Sequence, residues 1–247
     1  MSRLNRFYTR YKKIFITSIF IIIFLIAFIN NIPSWVLGSA LDKYSQHKLK
    51  LYDTQGTFWS GSGLLVATDS KTQSAPLILL NWSVALGFSK FVDVKFFVGN
   101  NQLVDIYLNK QGLYLDSLNM SLSMGQVTQL FGLIKNLGLS GNINMSSKQV
   151  HLGTKNEGIF NIKLTSVSSS ISPVNPLGDY NINFDTGSGA IQVSSDNNSS
   201  LLLSGSGSLN SLILSGRIAP SKKDKLLQFM TIMGLPQPDG SYSLKIF

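Results

Sequence analysis

The sequence predicts a mainly β protein: an N-terminal transmembrane helix followed by a curved antiparallel β-sheet domain with two short helices and a twofold internal repeat. Three observations predict it. Residues 14–32 form a nineteen-residue run without charge, "IFITSIFIIIFLIAFINNI". Beyond residue 48 the chain is a succession of short apolar, β-branched and aromatic runs separated by Gly, Asn and Ser, the pattern of an antiparallel meander. Two segments, 123–141 and 221–235, break that rhythm with apolar residues at helical spacing.

Residues 1–13 read as a basic cytoplasmic tail. Arg3, Arg6, Arg10, Lys12 and Lys13 supply five of the 21 basic residues, so much of the net charge of +9 sits there and the remainder holds sixteen basic against twelve acidic residues. A nucleic-acid interface needs basic residues clustered on one face, and this distribution excludes that class of partner. A basic flank ahead of about 20 apolar residues is the signature of a bilayer-spanning helix with its N-terminus inside, so residues 14–32 are expected to be an anchor. A cleaved signal peptide is the rival, with "GSA" ending at Ala40 as its cleavage site. The apolar run exceeds the roughly 7–15 residues of such peptides and Ala40 lies well past its end, so the uncleaved anchor fits better. Pro33 ends the helix, Trp35 suits the membrane interface, and residues 33–48 form a juxtamembrane linker.

Residues 49–247 are the exported β-rich domain. Charged residues make up 13% of the chain and cysteine is absent, so the domain must be held by its core rather than by disulfides. The expected strands are "LKLYD", "LILLNWSVAL", "FVDVKFFV", "LVDIYLN" and "GLYLDSLNMSL", then "NINMS", "QVHLG", "IFNIKLTSV", "YNINFD", "AIQVSS", "SLLLSGSGSL" and "LILSGRI". Their alternation leaves one face for apolar packing and one for water.

The two helical segments resemble each other. Ser123 with Gln126 and Ser221 with Asp224 have capping-box spacing, and Gly138 and Gly234 stand where helices end. A shift of 96 residues aligns Leu130 with Leu226, Phe131 with Leu227, Ile134 with Met230 and Leu137 with Met233. The expectation is a repeat of several strands plus one helix, with halves 49–146 and 147–247. The second helix is apolar around more than the roughly 100° stripe of a surface helix. Phe229 and Ile232, away from the Leu226/Met230/Met233 row, are therefore expected to contact a partner or lipid, or else the helix sinks between two layers.

"GTFWSGSG" at 56–63 places two aromatics among turn residues. A phosphate loop would end in Gly-Lys-Ser/Thr, and Ser62 follows Gly61 here; the dinucleotide fingerprint also fails. Gly56 and Gly61 are expected to bend the chain while Phe58 and Trp59 point inward, with Trp59 burying against the core or facing a partner. Trp82 reads as a core strand residue.

Catalysis finds no constellation. His47 and His151 are the only histidines, neither has metal-ligand spacing around it, there is no Cys nucleophile and no Gly-x-Ser-x-Gly elbow. Asp93 and Asp105 alternate with apolar neighbours and read as solvent-facing. No catalytic, metal or cofactor residue is assigned.

The N-terminal anchor, "GTFWSG" at 56–61, "LLNWSV" about twenty residues later and "LLQFMTIMGLPQPDGSYSLKI" near the C-terminus together resemble the protein N family of the bacterial type II, or general, secretion pathway. The resemblance implies a non-enzymatic inner-membrane component with a periplasmic domain, an accessory structural or interaction subunit in the export of folded proteins across the outer membrane, with other secretion components as partners. The long one-sided sheet behind an anchor also looks like the lipid-carrying groove proteins related to the AsmA family. A concave face that stays apolar along its whole length and open at its ends is the feature that would favour that alternative.

Overall fold

Two helices, α1 (Ser2–Asn30) and α2 (Trp35–Tyr44), lead into fourteen strands that form one sheet. The computed structural model describes residues 2–68, 74–128, 137–208 and 210–245, with side chains from Phe15 to Leu244. The first half of the sheet is β1 (Leu49–Gly56), β2 (Ser60–Thr68), β3 (Ser74–Leu86), β4 (Val92–Val98), β5 (Asn101–Asn109) and β6 (Gly112–Ser123), followed by α3 (Met124–Thr128). The second is β7 (Leu139–Gly153), β8 (Glu157–Ser169), β9 (Gly178–Asp185), β10 (Ala190–Ser195), β11 (Leu201–Ser208) and β12 (Ser211–Ile218), followed by α4 (Lys223–Met233), β13 (Leu235–Pro236) and β14 (Tyr242–Lys245). Among the described residues, each of these runs of six strands is followed by a helix. A division at residue 146 falls inside β7, which pairs with β6 without a gap.

Strands lie in sequence order except at the end, where β14 sits between β12 and β13. Every strand pairing is antiparallel, as the alternating sequence predicts; register shifts interrupt β1/β2, β2/β3, β4/β5, β5/β6, β7/β8 and β8/β9. Each such bulge bends its strand and adds twist. One of them corrects the expected strand boundaries: "NINMS" and "QVHLG" belong to a single strand, β7, because Gln149 takes φ +50° and is absorbed as a bulge rather than a turn.

One sheet face is largely apolar, with Ser147, opposite Leu118, a polar member of it. Register places Trp82 opposite Phe96, Phe96 opposite Val104 and Val104 opposite Leu118; further along, Ile162 faces Ile182, Ile182 faces Val193, and Leu214 faces Leu244. Over the C-terminal strands this face is covered by α4, whose Leu226, Phe229 and Met230 are buried against Leu177, Val193, Leu201, Leu214, Tyr242 and Leu244. Met124 of α3 packs with Val167 and Tyr180, and Gln126 Nε2 donates to Pro76 O at 3.0 Å, tying this segment back to β3. The expected apolar positions Leu130, Phe131 and Ile134 of the first helix lie outside the described residues.

The second helix forms where expected, with different ends. Ser221 lies in a 3₁₀ turn, Pro220–Lys222, and makes no cap; the helix begins from Lys222 without a side-chain cap. Gly234 is extended (φ −160°, ψ 170°) rather than left-handed. Glycine is needed there because a Cβ would come within 2.7 Å of Ser243 O.

The two margins of the sheet differ. Along β1 lies α2, with Gly38 against Leu51; the other margin is the two-residue β13, ending at Pro236.

Among the described residues no helix is long and apolar enough to cross a membrane. Phe15, Phe20, Phe24 and Phe28 all stand exposed along α1.

Candidate functional site at the Gly-Thr-Phe-Trp-Ser-Gly turn

The β1–β2 turn holds the end of α1. A helix leaves its last carbonyls without intrahelical donors, and here the Trp59 indole Nε1 donates to Ile29 O at 2.7 Å while the Phe58 backbone N–H donates to Ile32 O at 2.8 Å. An isolated bridge joins Pro33 to Thr57. The turn itself is closed by Thr57 N–H donating to Ser60 O (2.8 Å) and Ser60 N–H donating to Thr57 Oγ1 (3.2 Å).

Each residue of the motif has a distinct task. Gly56 sits at φ +88°, a region costly for a residue with a Cβ. Gly61 pairs across the strands with Trp82, and its missing side chain makes room for the indole, whose Cζ2 lies 2.5 Å from where a Cβ would stand. Trp82 is the buried tryptophan, 2% exposed, and its Nε1 donates to Thr57 O at 3.2 Å. Phe58 and Trp59 meet edge to face, with centroids 5.1 Å apart. Trp59 is only half-buried. Trp59, expected to point inward, instead reaches back as a clasp on the preceding helix, while Trp82, read as a core strand residue, is the buried one.

A second candidate lies at the end of α4. An open cleft of about 560 Å³ is lined by Leu212, Ile213, Ile232, Met233, Leu235 and Leu244 among others. Ile232 is 70% exposed beside it, whereas Phe229 is buried in the core. The two residues expected on one outer side of the helix therefore separate: Phe229 belongs to the interior and Ile232 to the surface. Gly234 stands at the junction of α4 and β13.

The polar face carries the charges. Lys95 pairs across the strands with Asp105, its Nζ 3.8 Å from Asp105 Oδ2 and 3.9 Å from Asp93 Oδ2, and Lys90 Nζ is also 3.9 Å from Asp93. Asp105 is 6% exposed, which corrects its reading as a solvent-facing residue. Burial, then the neighbouring Asp93 charge, push its carboxyl above the usual range, with Lys95 opposing. The Oδ1 atoms of Asp93 and Asp105 are buried without hydrogen-bond partners. Beside them Tyr107 stacks on Tyr114 (4.8 Å) and Tyr114 on His151 (4.3 Å), and Lys90 Nζ lies 4.1 Å from the Tyr107 centroid. His47 Nδ1 lies 3.0 Å from Asp42 Oδ2. Among the described residues no group of three or more His, Cys, Asp or Glu is arranged to hold a metal ion.

The clasp was missed in the sequence because its acceptor is a backbone carbonyl. A tryptophan two residues from a turn glycine names no partner; only the return of β1 beside α2 brings residue 29 into reach.

A family model for type II secretion system (T2SS), protein N, matches residues 47–245. No curated protein and no solved structure matches the chain.

Proposed function

Because the chain belongs to the type II secretion system protein N family, we propose that it is a non-enzymatic, single-pass inner-membrane component of that system, acting through its β domain as an accessory structural or interaction subunit in the export of folded proteins across the outer membrane. The family match over 47–245 carries this reading. In it, residues 1–13 are cytoplasmic, 14–32 the anchor, 33–48 a linker and 49–247 the periplasmic domain, with repeat halves 49–146 and 147–247. The uncharged run at 14–32 and the bared phenylalanines of α1 support the anchor. Other secretion components and the inner membrane are the partners, no nucleic acid is among them, and Ile232 is a contact residue. The clasp at Trp59 would transmit the anchor's position to the sheet. Deleting the gene should leave folded exoproteins trapped in the periplasm, and crosslinking in the native membrane should join this chain to other secretion subunits. Normal secretion together with no such crosslink would overturn the reading.

The largely apolar sheet face, which α4 covers over the C-terminal strands, favours one alternative over its remaining length, a periplasmic lipid-binding or lipid-transfer groove resembling the AsmA family. Extraction of the gently purified protein would then yield stoichiometric acyl lipid; a lipid-free, folded protein would remove this alternative.

A further inference from the structure

Successive antiparallel strands send their turns alternately to two ends of the sheet. The turns after β1, β3, β5, β7 and β9, at 57–59, 87–91, 110–111, 154–156 and 186–189, share one end. It is to this end that the last turn of α1 is fastened by Trp59 and Phe58.

The same end presents apolar side chains across its breadth. Leu86 pairs with Val92, Val92 with Leu108, Leu108 with Leu113 and Leu113 with Leu152, making one cross-strand row at the turn-bearing edge of the apolar face. The four leucines of that row are exposed, and Phe88 at the tip of the β3–β4 turn is fully so. On the C-terminal side α4 runs back towards this end, and the cleft it forms with residues 210–213 leaves Ile213, Ile232 and Leu235 exposed. Trp35, immediately after the Pro33–Thr57 bridge, is exposed there as well. Lys110 and Lys155 stand exposed in two of the turns, with Glu157 the acidic residue beside the second.

We propose that this turn-bearing end of the sheet, led by Phe88 and the Leu86–Leu108–Leu113–Leu152 row, rests on the surface of the lipid bilayer that holds α1. The inference depends on α1 being the anchor. A helix that leaves the hydrocarbon near Ile29 and is bonded there to the sheet brings this end, and not the opposite one, to headgroup level. Apolar residues spread over strands β3 to β7 and again over β12 and β13 match a broad plane better than a single groove. Aromatic and aliphatic tips flanked by lysines are the composition of an interfacial contact with anionic lipid.

The chain has no cysteine, so single cysteines give unique labelling sites. Phe88→Cys probes the proposed contact, Asn100→Cys the β4–β5 turn at the opposite end, and Ile22→Cys the anchor. Each full-length variant is reconstituted into phosphatidylethanolamine and phosphatidylglycerol vesicles and labelled with bimane, with and without brominated acyl chains. The label at 88 should shift to the blue and lose intensity to brominated lipid, while the label at 100 keeps its aqueous emission. Quenching at 22 without quenching at 88 overturns the bilayer contact and leaves the anchor standing. Absence of quenching at both overturns the two together. A blue shift at 88 that brominated lipid does not quench means that protein covers this end, and also overturns the proposal.

Discussion

The indole N–H of Trp59 is bonded to the carbonyl of Ile29, thirty residues earlier in the chain. Trp82, on β3, is bonded to Thr57 O of the same turn and buried. Two tryptophans at one turn therefore divide the work between joining the helix to the sheet and holding the sheet together.

That division predicts unequal costs. Trp82→Ala should lower stability by about 3–5 kcal/mol, the range for emptying a buried aromatic site. Trp59→Phe keeps a smaller aromatic ring but removes the N–H, and the lost hydrogen bond should cost about 1 kcal/mol. Denaturant unfolding of the full chain in detergent measures both; equal losses would mean that Trp59 is a core residue after all.

Gly61→Ala should destabilise by about 1–3 kcal/mol, because the added methyl meets the Gln55 carbonyl and the Trp82 indole. Pairing it with Trp82→Phe, which vacates part of that space, should recover some of the loss. A neutral Gly61→Ala in the same unfolding measurement contradicts the close approach.

On α4, Phe229→Ala should cost about 3–5 kcal/mol, whereas Ile232→Ala should change stability by no more than about 0.5 kcal/mol, as exposed substitutions do. Thermal unfolding of the two variants side by side tests the reversal of their expected equivalence. A large loss at Ile232 would mean that the exposed side chain is covered in the folded protein.

Asp105 gives a pH dependence of known sign. Its carboxyl is raised in the folded state, so the native protein binds the proton more tightly than the unfolded chain does. Its stabilising contribution is present below the unfolded value and is lost as pH rises through the folded one. Asp105→Asn should therefore be more stable than the parent at neutral pH, with the gap narrowing on acidification. Asp185 and Asp239, held low chiefly by hydrogen bonds from Gly187 and Ser241 respectively, work in the opposite direction and are common to both proteins. Urea midpoints of parent and variant across mildly acidic to neutral pH isolate the effect; a variant less stable at neutral pH would show that the Lys95 pairing outweighs the burial.

The β meander was legible because alternation survives almost everywhere, and the second helix because Leu226 and Met230 keep their spacing. What misled were residues whose role is set by distant chain. "NINMS" and "QVHLG" looked like two strands since a bulge at Gln149 and a turn have the same polar spelling. Asp105 looked solvent-facing because its alternation is that of the polar face, yet Lys95 on the next strand and the long side chains around it bury it. Phe229 and Ile232 differ by three positions, close to one turn, and only the packing of β9 to β14 beneath the helix separates them.

Hydrogen-bonding capacity at the outermost strands has a consequence for crowding in the cell envelope. An open sheet would ordinarily recruit further strands from neighbouring copies through unpaired N–H and C=O groups. Here the helix lying along β1 obstructs one side, and on the other the template is two residues long and closes on a proline, which has no N–H to offer. A fourteen-strand ribbon so terminated offers little backbone at its outermost strands for growth into a fibril.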